Sequence, residues 1–152
     1  MSGEDTWTEI PYAEGIVLIG DAGGYNDPII GEGLSLALRE VRLLSELLIE
    51  EQEWTPAGLK HYGERRREGF RRMRIAAALR AALSAQFGPE AAARRAHFRD
   101  RVREDSDLGI VTVVTHLGPD RAPACVFDET IRVILLDFRS GGCHVTQEIL
   151  VA

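Results

Sequence analysis

The sequence predicts an α/β fragment that is predominantly helical: a short buried strand, a glycine-rich loop and a long helix, followed by further helices. The strand prediction rests on residues 16–19, four apolar residues bounded by Gly15 and Gly20. An apolar run without alternation is typical of a strand covered on both faces in a parallel sheet. The helix predictions rest on the periodic leucines after Gly33 and on the basic, alanine-rich stretch at 55–103.

The glycine-rich loop after the strand predicts a cofactor site. Ligands of parallel sheets bind at the carboxyl ends of the strands, where Asp21 stands. Its carboxylate can accept hydrogen bonds from a sugar-like chain of hydroxyls, while Gly23 and Gly24 let the backbone approach closely. Pro28 stiffens the approach to the next helix. Residues 31–33 open that helix, whose unpaired amides and positive dipole end can hold an electron-rich group.

Residues 20–41, GDAGGYNDPIIGEGLSLALREV, resemble the second FAD-binding motif of flavoprotein monooxygenases of the aromatic-hydroxylase (p-hydroxybenzoate hydroxylase-like) family. That motif runs from GD through a proline to GxG at a helix start, and the sequence agrees with it at nearly every constrained position. The resemblance is strong over residues 7–83 and continues loosely to residue 107. It implies FAD as the cofactor, NAD(P)H as the reductant, and hydroxylation of a small organic substrate by the complete protein.

The resemblance also implies roles for the loop residues. Asp21, which follows Gly20, would bind the ribityl chain of FAD, and Pro28 would lie beside the isoalloxazine ring. The amides at the helix start would face the pyrimidine edge of the flavin and stabilise negative charge on the reduced ring; they belong to Gly31, Glu32, Gly33 and Leu34. No catalytic side chain is implied, because the flavin itself performs the oxygen chemistry. The alternative is a crossover with a tight glycine loop and no ligand.

The sequence lacks the other half of such a flavoprotein. A complete member begins with a strand and a GxGxxG turn that cradles the FAD pyrophosphate, and no such spacing occurs here. We therefore expect the carboxyl-terminal third of an enzyme, inactive by itself, whose N-terminal FAD-binding half belongs to the same or a separate chain. The second hypothesis is a non-catalytic helical module, derived from such an enzyme, that binds another protein.

Composition and charge are typical of a soluble cytoplasmic protein. The 152 residues are 45% hydrophobic and can bury a sizeable core. Residues 1–54 carry twelve acidic and two basic side chains, whereas residues 55–104 carry five acidic and thirteen basic ones. No run approaches the roughly 18 apolar residues of a membrane span, and the acidic start is unlike a secretory signal. Two cysteines, Cys125 and Cys143, define no disulfide framework, and the four separated histidines offer no metal-ligand spacing.

The helix after Gly33 carries apolar side chains on two nearly opposite faces, which predicts a helix wedged between two layers. It is expected to run to about Glu51. One face holds Leu34, Ala37, Leu38, Val41, Leu44 and Leu48, and the other holds Leu36, Leu43 and Leu47.

Further helices follow in the basic part of the chain. Thr55 and Pro56 predict a helix start, as a capping hydroxyl and a proline at the first helical position, and the helix runs to about residue 86. Pro89 starts another helix that runs to about residue 103. The arginines at 65–74 could bind nucleic acid, but the neighbouring glutamates favour a solvated helix face. We therefore expect no nucleic acid partner.

We expect residues 1–107 to be the carboxyl-terminal part of an FAD-binding domain and residues 108–152 to be an extension. Residues 110–115 are β-branched and strand-like, yet the resemblance favours a short helix there. Residues 131–136 fit either a strand or a helix.

Overall fold

The computed structural model describes residues 6–25, 28–50, 54–109, 117–122 and 124–136. Over these residues the chain is predominantly helical, as predicted, with four α-helices and one two-stranded sheet. It forms two compact units, Met1–Arg74 and Ile75–Ala152. The expected domain boundary at residue 107 was inferred from how far along the chain the family resemblance extends, and it stays a prediction.

The first unit begins with a β-hairpin, in which β1 (Tyr12–Ala13) pairs antiparallel with β2 (Ile16–Val17). Gly15 lies in the turn between them with φ +74°, a conformation that favours glycine. The strand covers only the first two of the four predicted residues, although the backbone is extended again at Ile19.

The prediction of a parallel strand buried on both faces was wrong. Residues 14–15 link the two strands directly, and a loop of two residues can join only antiparallel neighbours. The apolar side chains of the strand remain partly in solvent: Ile16 is 55% exposed and Ile19 is 36% exposed. An apolar run indicates that a strand is suited to burial, but the layers that would cover it are not among the described residues.

Two short 3₁₀ turns, Gly20–Gly23 and Pro28–Ile30, connect the hairpin to helix α1 (Gly33–Glu50). The helix begins two residues after Gly31, which has φ +70°. Both the start of α1 and its length agree with the prediction. The carboxyl end of the extended segment and the amino end of α1 therefore lie on either side of the two turns.

Helix α1 buries one of its two apolar faces. Leu36 and Leu43 are buried in the first unit, and Glu40 lies between them. On the other face Leu34 is 75% exposed and Leu38 is 61% exposed. Helix α1 was predicted to pack between two layers. Over the described residues, only one of its two apolar faces is covered.

Helix α2 (Lys60–Ser84) supplies the opposite side of this core. Side chains three or four residues apart form one buried stripe, which consists of Leu59, Tyr62, Arg66, Phe70 and Met73. The helix begins at Lys60 rather than at Pro56, because Thr55 caps a turn instead of the helix: its Oγ1 accepts a hydrogen bond from the Gly58 amide at 3.3 Å.

The second unit contains the end of α2, α3 (Pro89–Glu104) and α4 (Glu129–Leu136). Helix α3 starts at the proline that follows Gly88, as predicted. Residues 131–136, whose sequence fits either a strand or a helix, form part of helix α4. The buried side chains of this unit include Ala76, Ala77, Leu79, Ala91, Leu108, Ala122, Phe127, Ile131 and Leu135. The alternatives for residues 110–115 and the state of Cys143 fall outside the described residues.

Several exposed or partly exposed arginines of α2 and α3 pair with acidic side chains one helical turn away. Arg71 and Arg72 both contact Glu68 at 2.7 Å, and the hydrogen bonds from Arg71 lower the pKa of Glu68 to about 2. Arg101 pairs with Glu104 at 2.6 Å. Pairs of this kind are typical of a solvated helix face. None of the helices in the described part of the chain combines the length and the apolar character that a membrane crossing requires.

We predict that the two faces of α1 differ sharply in their contribution to stability. Leu43→Ala removes a buried side chain and leaves a cavity, so it should lower the free energy of unfolding by about 2–5 kcal/mol. Leu38→Ala, on the exposed face, should change it by no more than about 0.5 kcal/mol. Urea unfolding followed by circular dichroism measures both values. Equal losses would contradict the exposure of the outer face.

Candidate functional site

The end of the extended segment, the two 3₁₀ turns and the start of α1 enclose a cleft of about 480 Å³ in the first unit. Six of the seven residues predicted for the cofactor site line it, namely Gly20, Asp21, Pro28, Gly31, Glu32 and Gly33. The seventh, Leu34, does not line the cleft, and its side chain points away into solvent. The structure thus brings together the residues that the sequence motif singled out.

Asp21 offers a free carboxylate at the edge of this cleft. It lies in the Gly20–Gly23 turn, directly after the extended segment, and its side chain is exposed. No group among the described residues forms a hydrogen bond or an ion pair with that carboxylate. All of its acceptor sites are therefore open to a ligand that carries hydroxyl donors.

The start of α1 faces the same cleft with unpaired amides. The first helical bond runs from the Leu36 amide to the Glu32 carbonyl at 2.9 Å, so the preceding amides have no helical acceptor. Over the described residues, those of Glu32, Gly33 and Leu34 have no backbone partner. The Gly31 amide is different, because it donates to the Pro28 carbonyl at 2.9 Å. Of the four amides predicted to meet a ligand, those of Glu32 and Gly33 are therefore unpaired in residues that line the cleft, whereas Leu34 lies outside its lining.

A buried ion pair lies behind the turn. Glu40 and Arg66 are each 1% exposed, and Arg66 Nε lies 3.0 Å from Glu40 Oε1. The Gly20 amide donates to Glu40 Oε2 at 2.7 Å, and the Gly20 carbonyl accepts from Arg66 Nη2 at 3.4 Å. The Tyr62 hydroxyl donates to the Leu18 carbonyl at 2.9 Å and lies 3.5 Å from Glu40 Oε2. Burial, together with the Glu40 carboxylate, raises the pKa of Tyr62, so its hydroxyl remains a donor.

Phe70 lines the cleft as an aromatic wall and contacts two neighbouring side chains. The Arg66 guanidinium carbon lies 4.3 Å from the centre of its ring. Trp7 stacks on the same side chain with ring centres 6.4 Å apart and planes 14° apart. The cleft thus combines an apolar wall with a free carboxylate and a helix N-terminus.

The structure gives the loop glycines a packing role that the sequence did not predict. A Cβ on Gly23 would lie 2.6 Å from Arg66 Nη2, and a Cβ on Gly24 would lie 2.4 Å from the Trp7 Cα. These two glycines were expected to admit a ligand. In the structure, the space beside them is occupied by Arg66 and Trp7, although Gly24 also lines the cleft.

The sequence reasoning missed Glu40, Tyr62, Arg66 and Phe70, and it placed Arg66 on a solvated helix face. The sequence did contain a signal for Glu40. This residue stands between Leu36 and Leu43 at helical spacing, and a carboxylate within an apolar stripe requires a buried partner. The partner itself lies 26 positions further along the chain. Its identity depends on how α1 packs against α2.

Comparison of the chain with protein-family models, with curated proteins and with solved structures finds no match.

We predict opposite effects for alanine at two glycines of this site. Gly23→Ala places a methyl group against the buried Arg66 guanidinium, so it should lower the free energy of unfolding by about 1–3 kcal/mol. Gly33→Ala meets open space at the first position of α1 and should be neutral or stabilising by up to about 1 kcal/mol. Thermal and urea unfolding of the two variants measure this contrast. A harmless Gly23→Ala would show that Arg66 does not occupy that space.

Proposed function

We propose that this chain contributes the ribityl and isoalloxazine side of an FAD pocket in a flavin-dependent monooxygenase or related oxidoreductase. One observation carries the proposal: a free carboxylate after an extended segment and the free amides of a helix start line the same cleft. In the complete protein, NAD(P)H would reduce the flavin and a small organic molecule would be hydroxylated. The bound flavin supplies the hydride and oxygen chemistry.

The Asp21 side of the cleft suits the ribityl chain. That chain is a run of hydroxyl groups, which donate hydrogen bonds, and the exposed Asp21 carboxylate has no competing partner among the described residues. Hydrogen bonds to a charged acceptor contribute about 1.5–3 kcal/mol. A carboxylate would be poorly placed beside the phosphates of FAD, so it favours the sugar-like part of the cofactor.

The other end of the cleft suits the ring system. The positive end of α1, with the amides of Glu32 and Gly33, can accept the electron-rich pyrimidine edge and stabilise negative charge on a reduced ring. Phe70 and Pro28 supply apolar surface nearby. The volume of about 480 Å³ lies within the range of about 300–1,000 Å³ that is usual for cofactor and ligand pockets.

The same proposal requires that the first unit have a partner, which would bind the nucleotide half of FAD. No GxGxxG turn occurs in the sequence to cradle the pyrophosphate, so a nucleotide-binding half must supply it. We propose that this half adds a strand to the outer edge of β2. The Leu18 amide donates to the Pro11 carbonyl at 2.7 Å, and alternation along the strand therefore turns the hydrogen-bonding groups of Val17 to the outer edge.

Exposed apolar side chains lie beside the outer edge of β2, where the nucleotide-binding half would pack. Ile16 and Ile19 on the extended segment remain partly in solvent, as do Leu34, Leu38 and Val41 on the outer face of α1. The Gly20 backbone packs near Ala37, so the strand and this face of the helix are neighbours. A partner that covered both would complete the two-sided packing of the strand and of α1.

The second candidate function is a non-catalytic protein-binding module, which the same exposed face of α1 favours. The two candidates differ in what they require of Asp21. A flavin site needs its carboxylate in the cleft, whereas a protein-binding module that uses Leu38 and its neighbours does not.

We predict that the 152-residue chain alone binds FAD with micromolar or weaker affinity, because the cleft offers contacts only for the flavin end. Chemical shifts of its backbone amides during a titration with FAD measure this affinity and locate the site. The largest changes should fall at Asp21 and at the start of α1. Nanomolar binding by the chain alone would contradict the need for a separate nucleotide-binding half.

We predict that Asp21→Ala lowers FAD affinity about tenfold to a hundredfold in the chain joined to its nucleotide-binding half, because a charged acceptor for the ribityl hydroxyls is lost. The thermal midpoint should hardly change, since this side chain is exposed. Glu9→Ala, which removes an exposed carboxylate outside the cleft, is the matched control and should leave FAD content unchanged. Equal FAD content in all three proteins would favour the protein-binding module.

A further inference from the structure

We propose that Glu40, Tyr62 and Arg66 are positioning residues of the flavin site, which fix the Gly20 peptide so that the Asp21 carboxylate faces the cleft. The inference rests on the proposed function, because it concerns the same site. It gives the buried charges of the first unit a role that neither the motif nor the stability of the fold accounts for.

The first residue of the turn is held from both sides. The Gly20 amide donates to Glu40 Oε2 at 2.7 Å, and its carbonyl accepts from Arg66 Nη2 at 3.4 Å. Two residues earlier, the Leu18 carbonyl accepts from the Tyr62 hydroxyl at 2.9 Å. One helix supplies the carboxylate and the other supplies the guanidinium and the phenol. The backbone that enters the turn is therefore fixed by side chains of both helices.

The orientation of Asp21 depends on this backbone because the side chain has no anchor of its own. It is exposed, and no described residue hydrogen-bonds to its carboxylate. The preceding residue, Gly20, has φ +54°, and a Cβ there would lie 3.3 Å from the Ala37 Cβ. A turn in this conformation directs the next side chain through its backbone angles, so a shift of the Gly20 peptide redirects the carboxylate.

The same guanidinium links the turn to the wall of the cleft. Arg66 lies over the Phe70 ring at 4.3 Å while it donates to the Gly20 carbonyl. Phe70 and Gly20 both line the cleft. One buried side chain thus sets the distance between the carboxylate end of the site and its aromatic wall.

The stability of the fold does not by itself require the buried pair to be charged. Both side chains are almost fully buried, and charges removed from water recover that cost only when their hydrogen bonds are complete. Arg66 meets this condition only in part: its Nε lies 3.0 Å from Glu40 Oε1 in the ion pair, but its Nη1 has no hydrogen-bond partner among the described residues. Apolar side chains of similar volume commonly stabilise a core as well or better. What the charged pair adds is the fixed geometry of the Gly20 peptide.

The double variant Glu40→Leu/Arg66→Met separates positioning from stability in the chain joined to its nucleotide-binding half. Its apolar pair should leave the thermal midpoint unchanged or raise it. FAD affinity should nevertheless fall about tenfold or more, because the Gly20 peptide is released. Tyr62→Phe removes only a hydroxyl and should lower the affinity about threefold to tenfold. This second variant decides the outcome if the double variant does not fold.

Two reference variants complete the experiment. Leu59→Ala destabilises the same core away from the turn and should leave FAD affinity unchanged, whereas Asp21→Ala reports whether the cleft binds flavin at all. The inference is overturned if the double variant and Tyr62→Phe keep wild-type affinity while Asp21→Ala loses it; the proposed function then stands. It is also overturned if affinity falls only in proportion to the thermal midpoint, as a purely structural role requires. Unchanged affinity in Asp21→Ala would instead remove the proposed function itself.

Discussion

The first unit depends on the burial of one ion pair. Glu40 interrupts the apolar stripe of α1 and Arg66 interrupts that of α2, so each helix can bury its stripe only when the other supplies the opposite charge. Removal of one partner would leave an uncompensated buried charge, which costs about 3–5 kcal/mol. Because both groups also bond to Gly20, the packing of the helices and the conformation of the turn are fixed together.

The cleft follows from this arrangement. The turn packs so closely on Arg66 and Trp7 that its last residue, Gly23, and the residue that follows it, Gly24, have no room for a side chain. Along the cleft, the Asp21 carboxylate and the amides of Glu32 and Gly33 have no hydrogen-bond partner among the described residues. These are the two groups that a ligand with hydroxyl donors at one end and an electron-rich ring at the other can use.

Most local features of the fold could be predicted from the sequence, apart from the start of α2, whereas long-range features could not. The glycines before α1 and Pro89 at the start of α3 act on their own backbone, so the predicted helix starts agree with the structure. The strand at Ile16 was assigned its extended conformation correctly but the wrong partner, because pairing depends on what else is present. Six of the seven predicted site residues line one cleft, yet Glu40 and Arg66 were missed because their contact joins distant positions.

The central claim is that the buried pair holds the Gly20 peptide, and hydrogen exchange of the Gly20 amide tests it most directly. Gly20 lies in a surface loop, where an amide ordinarily exchanges quickly. If it donates to the buried Glu40 carboxylate, its protection should approach that of the Leu43 amide in the core of α1. It should far exceed that of the Gly33 amide, which has no backbone partner among the described residues. Exchange of Gly20 as fast as Gly33 would contradict the account.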